Sequence, residues 1–135
     1  MTCIFCKIIR GEIPSWKLFE NDHIIAFLDI TPISKGHTLV VPKRHAPSFD
    51  DLKEEEIAQI GQAIQRIAPA LLKSVNATAY NIGMNNGKDA GQVVDHAHVH
   101  IIPRFPNDGL ESWPGKDPEN LENLAGAVRK LLANV

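Results

Sequence analysis

His96-Ala97-His98-Val99-His100 places three imidazoles at alternate positions, and no other pattern in the 135-residue chain is as well suited to chemistry. In an extended strand successive side chains point to opposite faces, so the three rings share one side while Ala97, Val99 and Ile101 take the other. Next-but-one residues lie roughly 6.5 Å apart along a strand, so the rings can line one pocket, but three of them would wrap a single ion awkwardly. An imidazole nitrogen is partly unprotonated near neutral pH and can attack phosphorus, and fixing the proton on the other nitrogen selects the attacking tautomer. A neighbouring ring can hold phosphate oxygens or donate a proton. A merely polar, exposed sheet face would show the same alternation, but histidine is an uncommon residue and three in a row ask for a task. Gly91-Gln92 leads straight into this segment, offering backbone amides and a carboxamide to developing negative charge.

A second constellation is Cys3-Ile4-Phe5-Cys6, which holds both cysteines of the chain. Cys-x-x-Cys supplies half of a tetrahedral zinc site, and in a reducing compartment such a pair more often binds metal or does redox chemistry than forms a structural disulfide. The remaining ligands are not adjacent in sequence. His23 and His37 stand alone at strand ends, where packing or surface exposure is the ordinary role, and neither is assigned a function.

The elements that must position these groups are legible as local patterns. Cys3 to Arg10 reads as a short helix ended by Gly11, with Pro14 enforcing an extended exit. Trp16 to Glu20 and His23 to Asp29 read as a hairpin around Asn21-Asp22, and His37 to Val41 as a buried strand that Pro42 ends. From Asp50 or Asp51 as cap, Ile57, Ile60, Ile64, Ile67 and Leu71 recur at helical spacing, and Pro69 is expected to kink or interrupt that helix. Thr78 to Met84 alternates as a fourth strand, Asn85 to Gly91 is loop, and His96 to Ile102 is the fifth strand. Asp117 is expected to cap a last helix begun by Pro118, carrying Leu121, Leu124, Val128, Leu131 and Leu132.

Bulk properties narrow the function classes. The length suits one domain spanning residues 1–135, and 44% apolar beside 22% charged residues is an ordinary globular balance. No apolar run approaches the roughly 20 residues that cross a bilayer, so no membrane partner is expected. A net charge of −2, with basic pairs only at Lys43-Arg44 and Arg129-Lys130, argues against nucleic acid as a partner. The N-terminal residues meet charge too early for a secretion signal, which makes the cytoplasm the expected location.

The run His96-Ala97-His98-Val99-His100-Ile101-Ile102 resembles the histidine triad signature, His-φ-His-φ-His-φ-φ, of the HIT superfamily. Cys3 to Pro14, Ala26 to Ile30, Gly36 to His45 and Asn85 to Gln92 fall in the family's order, so the resemblance covers residues 3 to 105 and is nearest to the bacterial Hit/Hint-like branch. It implies an α+β domain with a five-stranded, mainly antiparallel sheet, a short N-terminal helix, one long central helix and a C-terminal helix, the helices packing on the sheet, and a homodimer. Relatives associate through the regions matching Gly36 to Val41, the 51 to 73 helix and Thr78 to Met84, although ordinary core burial explains the same apolar residues. A tail near the partner's active site in some of them would give Trp113 or the last helix a part in substrate choice.

The resemblance also implies the residue roles. His98 would attack the α-phosphorus of a purine nucleotide, adenosine-containing by preference, to form a nucleotidyl-histidine intermediate. His96 would orient it through its main-chain carbonyl, His100 would contact phosphate, and Gln92 would reach phosphate or the leaving oxygen. Asp29 would bind the ribose, Ile4, Phe5, Phe27 and Ile30 would flank the base, and Asn85 would lie beside the phosphate. Core packing explains the apolar four equally well, a turn before Thr31-Pro32 explains Asp29, and a left-handed loop position explains Asn85. Hint-branch proteins commonly carry serine where this chain has Val93, and valine has no hydroxyl to offer a departing group. Resemblance to zinc-containing relatives joins Cys3, Cys6, His45 and His96 as a closed structural zinc site, while in zinc-free relatives His45 supports the active-site histidines. The enzyme reading stands beside a binding module that holds a nucleotide with little turnover, and beside a metal centre on the histidine row itself, which the 6.5 Å spacing disfavours.

Overall fold

The computed structural model describes residues 2–135. Three helices, α1 (Ile4–Ile9), α2 (Glu54–Val75) and α3 (Leu121–Leu132), accompany five strands, β1 (Lys17–Glu20), β2 (Ile24–Leu28), β3 (Thr38–Pro42), β4 (Ala79–Gly83) and β5 (Val99–Arg104). The strands form one sheet in the order β1-β2-β3-β5-β4, and every neighbouring pair is antiparallel. The α+β architecture expected from the sequence is therefore the observed one.

Central strands β2 and β3 are buried almost end to end because both sheet faces are covered. On one face Ile24, Ala26, Val40, Val99 and Ile101 meet Ile60, Ala63, Ile64, Ile67 and Leu71 of α2. On the other, Ile25, Phe27, Leu39 and Val41 meet Phe5 of α1. The period-2 split of each strand thus feeds two cores, and the second of these is the floor of the candidate site.

Several boundaries differ from the sequence expectation, each for a local reason. Asp50 and Asp51 do not cap α2; they lie in a 3₁₀ turn, Phe49–Asp51, where the Asp51 carboxylate accepts the Ser48 N–H at 3.2 Å. The start of α2 is instead closed by Glu56, whose carboxylate accepts the Lys53 N–H at 2.9 Å. Pro69 does not interrupt α2, which runs unbroken past it. Buried contacts from Ile64, Ile67, Ala68 and Leu71 outweigh one missing backbone bond, as tertiary packing commonly does. At its C-terminal end Asn76 takes the left-handed conformation, φ 59°, a substitute for the usual glycine.

Strand β5 begins at Val99 rather than His96, and α3 begins at Leu121 after a left-handed Asn120 rather than at Asp117 and Pro118. Nor does α3 pack on the sheet: it buries no residue, and Leu121, Leu124, Val128, Leu131 and Leu132 are exposed. Its sequence period correctly marks a helix, but that period says nothing of what covers the apolar side.

Candidate active site

The histidine row straddles the start of β5. Register pairs Leu39 with His100 and Val40 with Val99, while upstream the Ala97 N–H donates to the Ala46 carbonyl at 2.7 Å. A bend at residues 94–96 leads into the strand; Ala97, Val99 and Ile101 are buried, and His96 and His98 both lie edge-on to Phe5 of α1. Phe5 lies edge-on to His98 with ring centroids 5.0 Å apart, and to Phe27 at 5.7 Å. His98 and His100 are 5.0 Å apart. One short helix thereby seats an aromatic wedge against both the sheet floor and the row of rings.

The tautomer of His98 follows from its partner. Its Nδ1 is 2.7 Å from the His96 carbonyl oxygen, which can only accept, so Nδ1–H donates and Nε2 keeps its lone pair. Burial holds this imidazole below its ordinary pKa, against the raising effects of the His96 carbonyl and the Asp29 carboxylate. An aligned, unprotonated ring nitrogen is the state required of a nucleophile.

A cavity of about 400 Å³ opens beside it, lined by His98, His100, Asp29, Asn85, Ile4, Phe5, Phe27 and Ile30, with Ile8, Leu39, Val93 and Val94. All the residues expected to touch a nucleotide are there except Gln92. The Gln92 amide is committed to its own loop: Nε2 donates to the Pro47 and Val94 carbonyls at 2.6 and 2.9 Å, and Oε1 accepts the Gly87 N–H at 2.8 Å. Through these bonds Gln92 braces the loop that leads into the histidine row. Asp29 divides its carboxylate. Oδ1 accepts the Thr31 N–H at 2.8 Å, while Oδ2 lies 3.7 Å from His37 Nε2. Its turn-forming and ligand-facing readings therefore coexist. Asn85 is not a left-handed residue, since among the described non-glycine residues only Asn76, Asn107 and Asn120 have positive φ.

His37, given no role from the sequence, is the buried polar residue that sequence reasoning missed. It is 2% exposed, and its Nε2 sits 2.8 Å from His100 Nδ1. Burial lowers its pKa; His100 is pushed down to about 4, by burial first and then by His98 and His37. The signal was the register: with Leu39 opposite His100, His37 falls on the same face as His100 and diagonal to it. That pairing joins segments some 60 residues apart and is invisible to local pattern.

Behind the cavity, Cys3, Cys6, His45 and His96 bring their ligand atoms within 4.8 Å of one another. His96 Nε2–H donates to the Pro42 carbonyl at 2.7 Å, leaving Nδ1 free towards Cys3 Sγ at 3.5 Å, Cys6 Sγ at 3.6 Å and His45 Nδ1 at 3.2 Å. His45 Nδ1 is 3.3 Å from Cys6 Sγ. Two of these groups, from α1 and its cap, thus meet one from the segment after β3 and one from the histidine row.

Comparison with known proteins agrees with this geometry. The HIT domain family model matches residues 10–107. Adenosine 5'-monophosphoramidase hnt1 of Schizosaccharomyces pombe is 45% identical over 133 residues, covering 95% of this chain and 96% of that protein. The crystal structure of a HIT family protein from Bacillus anthracis superposes with a TM-score of 0.90 at 39% identity, covering 99% of this chain and 97% of that one. A zinc-bound histidine triad family protein from Mycobacterium smegmatis does so with a TM-score of 0.78 at 36% identity, covering 100% and 99%. A family match over most of the chain, near-complete structural superposition and a histidine row set at the mouth of a cavity lead to one conclusion: the chain belongs to the HIT domain family.

Proposed function

We propose that this chain hydrolyses or transfers nucleoside monophosphate groups, acting on adenosine-containing esters, amidates or dinucleoside polyphosphates through a nucleotidyl-histidine intermediate on His98. The observation that carries this reading is the His98 Nδ1–H bond to the His96 carbonyl, which leaves Nε2 as a lone pair on a ring lining the cavity. A relative covering almost the whole chain is an adenosine 5'-monophosphoramidase by name.

In this mechanism Nε2 attacks the α-phosphorus, the phosphorus–nitrogen bond forms, and the bond to the leaving atom breaks with its electron pair going to that atom. Water then attacks phosphorus, displaces His98 Nε2, and gives up a proton to solvent as the monophosphate leaves. The free oxygen of Asp29 accepts ribose hydroxyls, Phe5, Phe27, Ile4 and Ile30 hold the base by apolar contact, and His100 and Asn85 face the phosphate. His98→Ala is expected to abolish turnover of an AMP phosphoramidate, a loss of at least about 10³-fold, with AMP binding retained. Equal rates in the two proteins would remove His98 from the mechanism, and tight AMP binding with no turnover in the wild type would favour a binding module.

Zinc at Cys3, Cys6, His45 and His96 is part of the same proposal. A tetrahedral site with bonds of about 2.0 Å to nitrogen and 2.3 Å to sulfur needs ligand atoms roughly 3.3–3.8 Å apart, and the nitrogen–nitrogen and nitrogen–sulfur separations here are 3.2–3.6 Å. The Pro42 carbonyl on the far nitrogen of His96 is the outer partner such a ligand requires. Bound zinc would be structural, tying α1 to the histidine row. Its thiolate ligands suit a reducing cytoplasm. Metal analysis should find one zinc per chain; carefully purified protein with none would refute the assignment.

A homodimer completes the proposal. It is supported by edge strand β4, which leaves Tyr80 38% and Ile82 51% exposed, and by Ile57 of α2, 37% exposed.

A further inference from the structure

We infer that His37 is a positioning residue that fixes the tautomer of His100, so that His100 serves its phosphate only as a neutral Nε2–H donor. The argument starts from a backbone amide. The Ile33 N–H lies 3.0 Å from His37 Nδ1, and a backbone N–H can only donate, so Nδ1 is the unprotonated nitrogen. The ring proton of His37 is then on Nε2. That nitrogen is 2.8 Å from His100 Nδ1, so Nε2–H donates and His100 Nδ1 accepts. The proton of His100 is left on Nε2, on the opposite side of a ring that lines the cavity next to His98.

Each link excludes the alternatives for the next one. An imidazolium at either ring would set two N–H groups against each other, at Ile33 in one case and between the two rings in the other. His100 therefore cannot shuttle protons and remains a fixed donor, a preorganised contact of the kind that stabilises charge on a transferring phosphoryl group.

The same chain of donors decides a second question. Asp29, His37 and His100 hold their ligand atoms within 4.8 Å of one another, a grouping able to take a cation. A neutral histidine bound to metal through Nε2 must carry its proton on Nδ1 and give it to an acceptor. His37 Nδ1 instead faces the Ile33 N–H. The trio is a hydrogen-bond relay, in contrast to the cysteine cluster, where the far nitrogen of His96 meets a carbonyl.

The length and fold of the loop enter here as well. Asp29 N–H donates to the His37 carbonyl at 2.9 Å and His37 N–H to the Ser34 carbonyl at 3.1 Å. The segment from 29 to 37 is thereby closed on itself, and the amide of Ile33 is delivered to the imidazole by that closure. The rate effect of this relay rests on the proposed phosphoryl-transfer reading; the tautomers do not.

Long-range proton–nitrogen correlation spectra of the wild-type protein are the direct test. They should show His100 with a bare Nδ1 and a protonated Nε2 as a single tautomer, and His37 likewise protonated only at Nε2. In His37→Phe the His100 ring should become a tautomer mixture, with turnover of an AMP ester falling of order tenfold. His37→Gln, whose carboxamide N–H can replace Nε2–H, should restore both the single tautomer and most of the rate. A protonated His100 Nδ1 in the wild type would overturn the assignment without any variant. So would a His37→Phe protein that kept both tautomer and rate, or a His37→Gln protein no better than His37→Phe. If the tautomers are as stated but no nucleotide ester is turned over, the proposed function fails and the relay stands as a property of the pocket.

Discussion

At the His98 ring, a carbonyl two residues away in its own backbone selects which nitrogen keeps a lone pair, and the proposed nucleophile needs no separate base to be deprotonated there. The family resemblance implies that contact, whereas the alternation by itself places only the three side chains on one strand face. Asp29 and the apolar residues at the cavity were equally accessible through family resemblance. His37 and the loop-bound amide of Gln92 were not, since the first depends on strand register and the second on where a loop closes. Val93, 92% exposed at the cavity edge, brings no donor to a departing amine. Val93→Ser should raise phosphoramidate turnover severalfold relative to turnover of a dinucleoside polyphosphate, whose phosphate leaving group needs no proton. Steady-state rates on the two substrates check this, and an unchanged ratio would place the leaving group elsewhere.

Elements are held to the site by a few tight contacts. Gly36 sits immediately before His37 with φ +89°, and an added Cβ would come within 3.1 Å of Val75 and 3.3 Å of Leu71 and Pro103. Gly36→Ala therefore combines left-handed strain with overpacking. It should destabilise the fold by about 2–4 kcal/mol, read from the denaturant midpoint. The start of α2 offers a pH test. Arg44 lowers the pKa of Glu56 through hydrogen bonds, with the Lys53 N–H adding to the effect. A depressed carboxylate stabilises the fold above its unfolded pKa of roughly 4.3, and that contribution fades as pH falls through the lower folded value. Glu56→Gln should cost about 1–3 kcal/mol at pH 7, and the deficit should shrink below pH ~4. A deficit constant with pH would show that the ion pair is not its source. Periodicity, composition and turn residues revealed the five strands and three helices, but not all of their ends. Caps are single-residue choices, and the choice between Asp51 and Glu56 was made by whichever backbone amide each carboxylate could reach.

Across the whole molecule, the sheet carries two cores, and the candidate zinc cluster ties the smaller one, over which α1 lies, to the histidine row. Removing metal should therefore lower the melting temperature and loosen the Phe5 wedge before it unfolds the α2 side. Mutating Cys6→Ser should do the same, with thermal unfolding followed at both faces as the check. Assembly was the level least legible in the sequence, because an apolar stripe such as that of α3 reads identically whether it meets its own core, a partner or solvent. Sedimentation at micromolar concentration should give twice the chain mass, and a monomer there would contradict the dimer. The covalent step tests the account most directly. Acid-quenched reactions with an AMP phosphoramidate, analysed by intact mass, should show the wild-type chain carrying one adenylyl group, localised by fragmentation to His98, and none on His98→Ala. Full turnover with no adduct at any quench time, or an adduct on another residue, would contradict it.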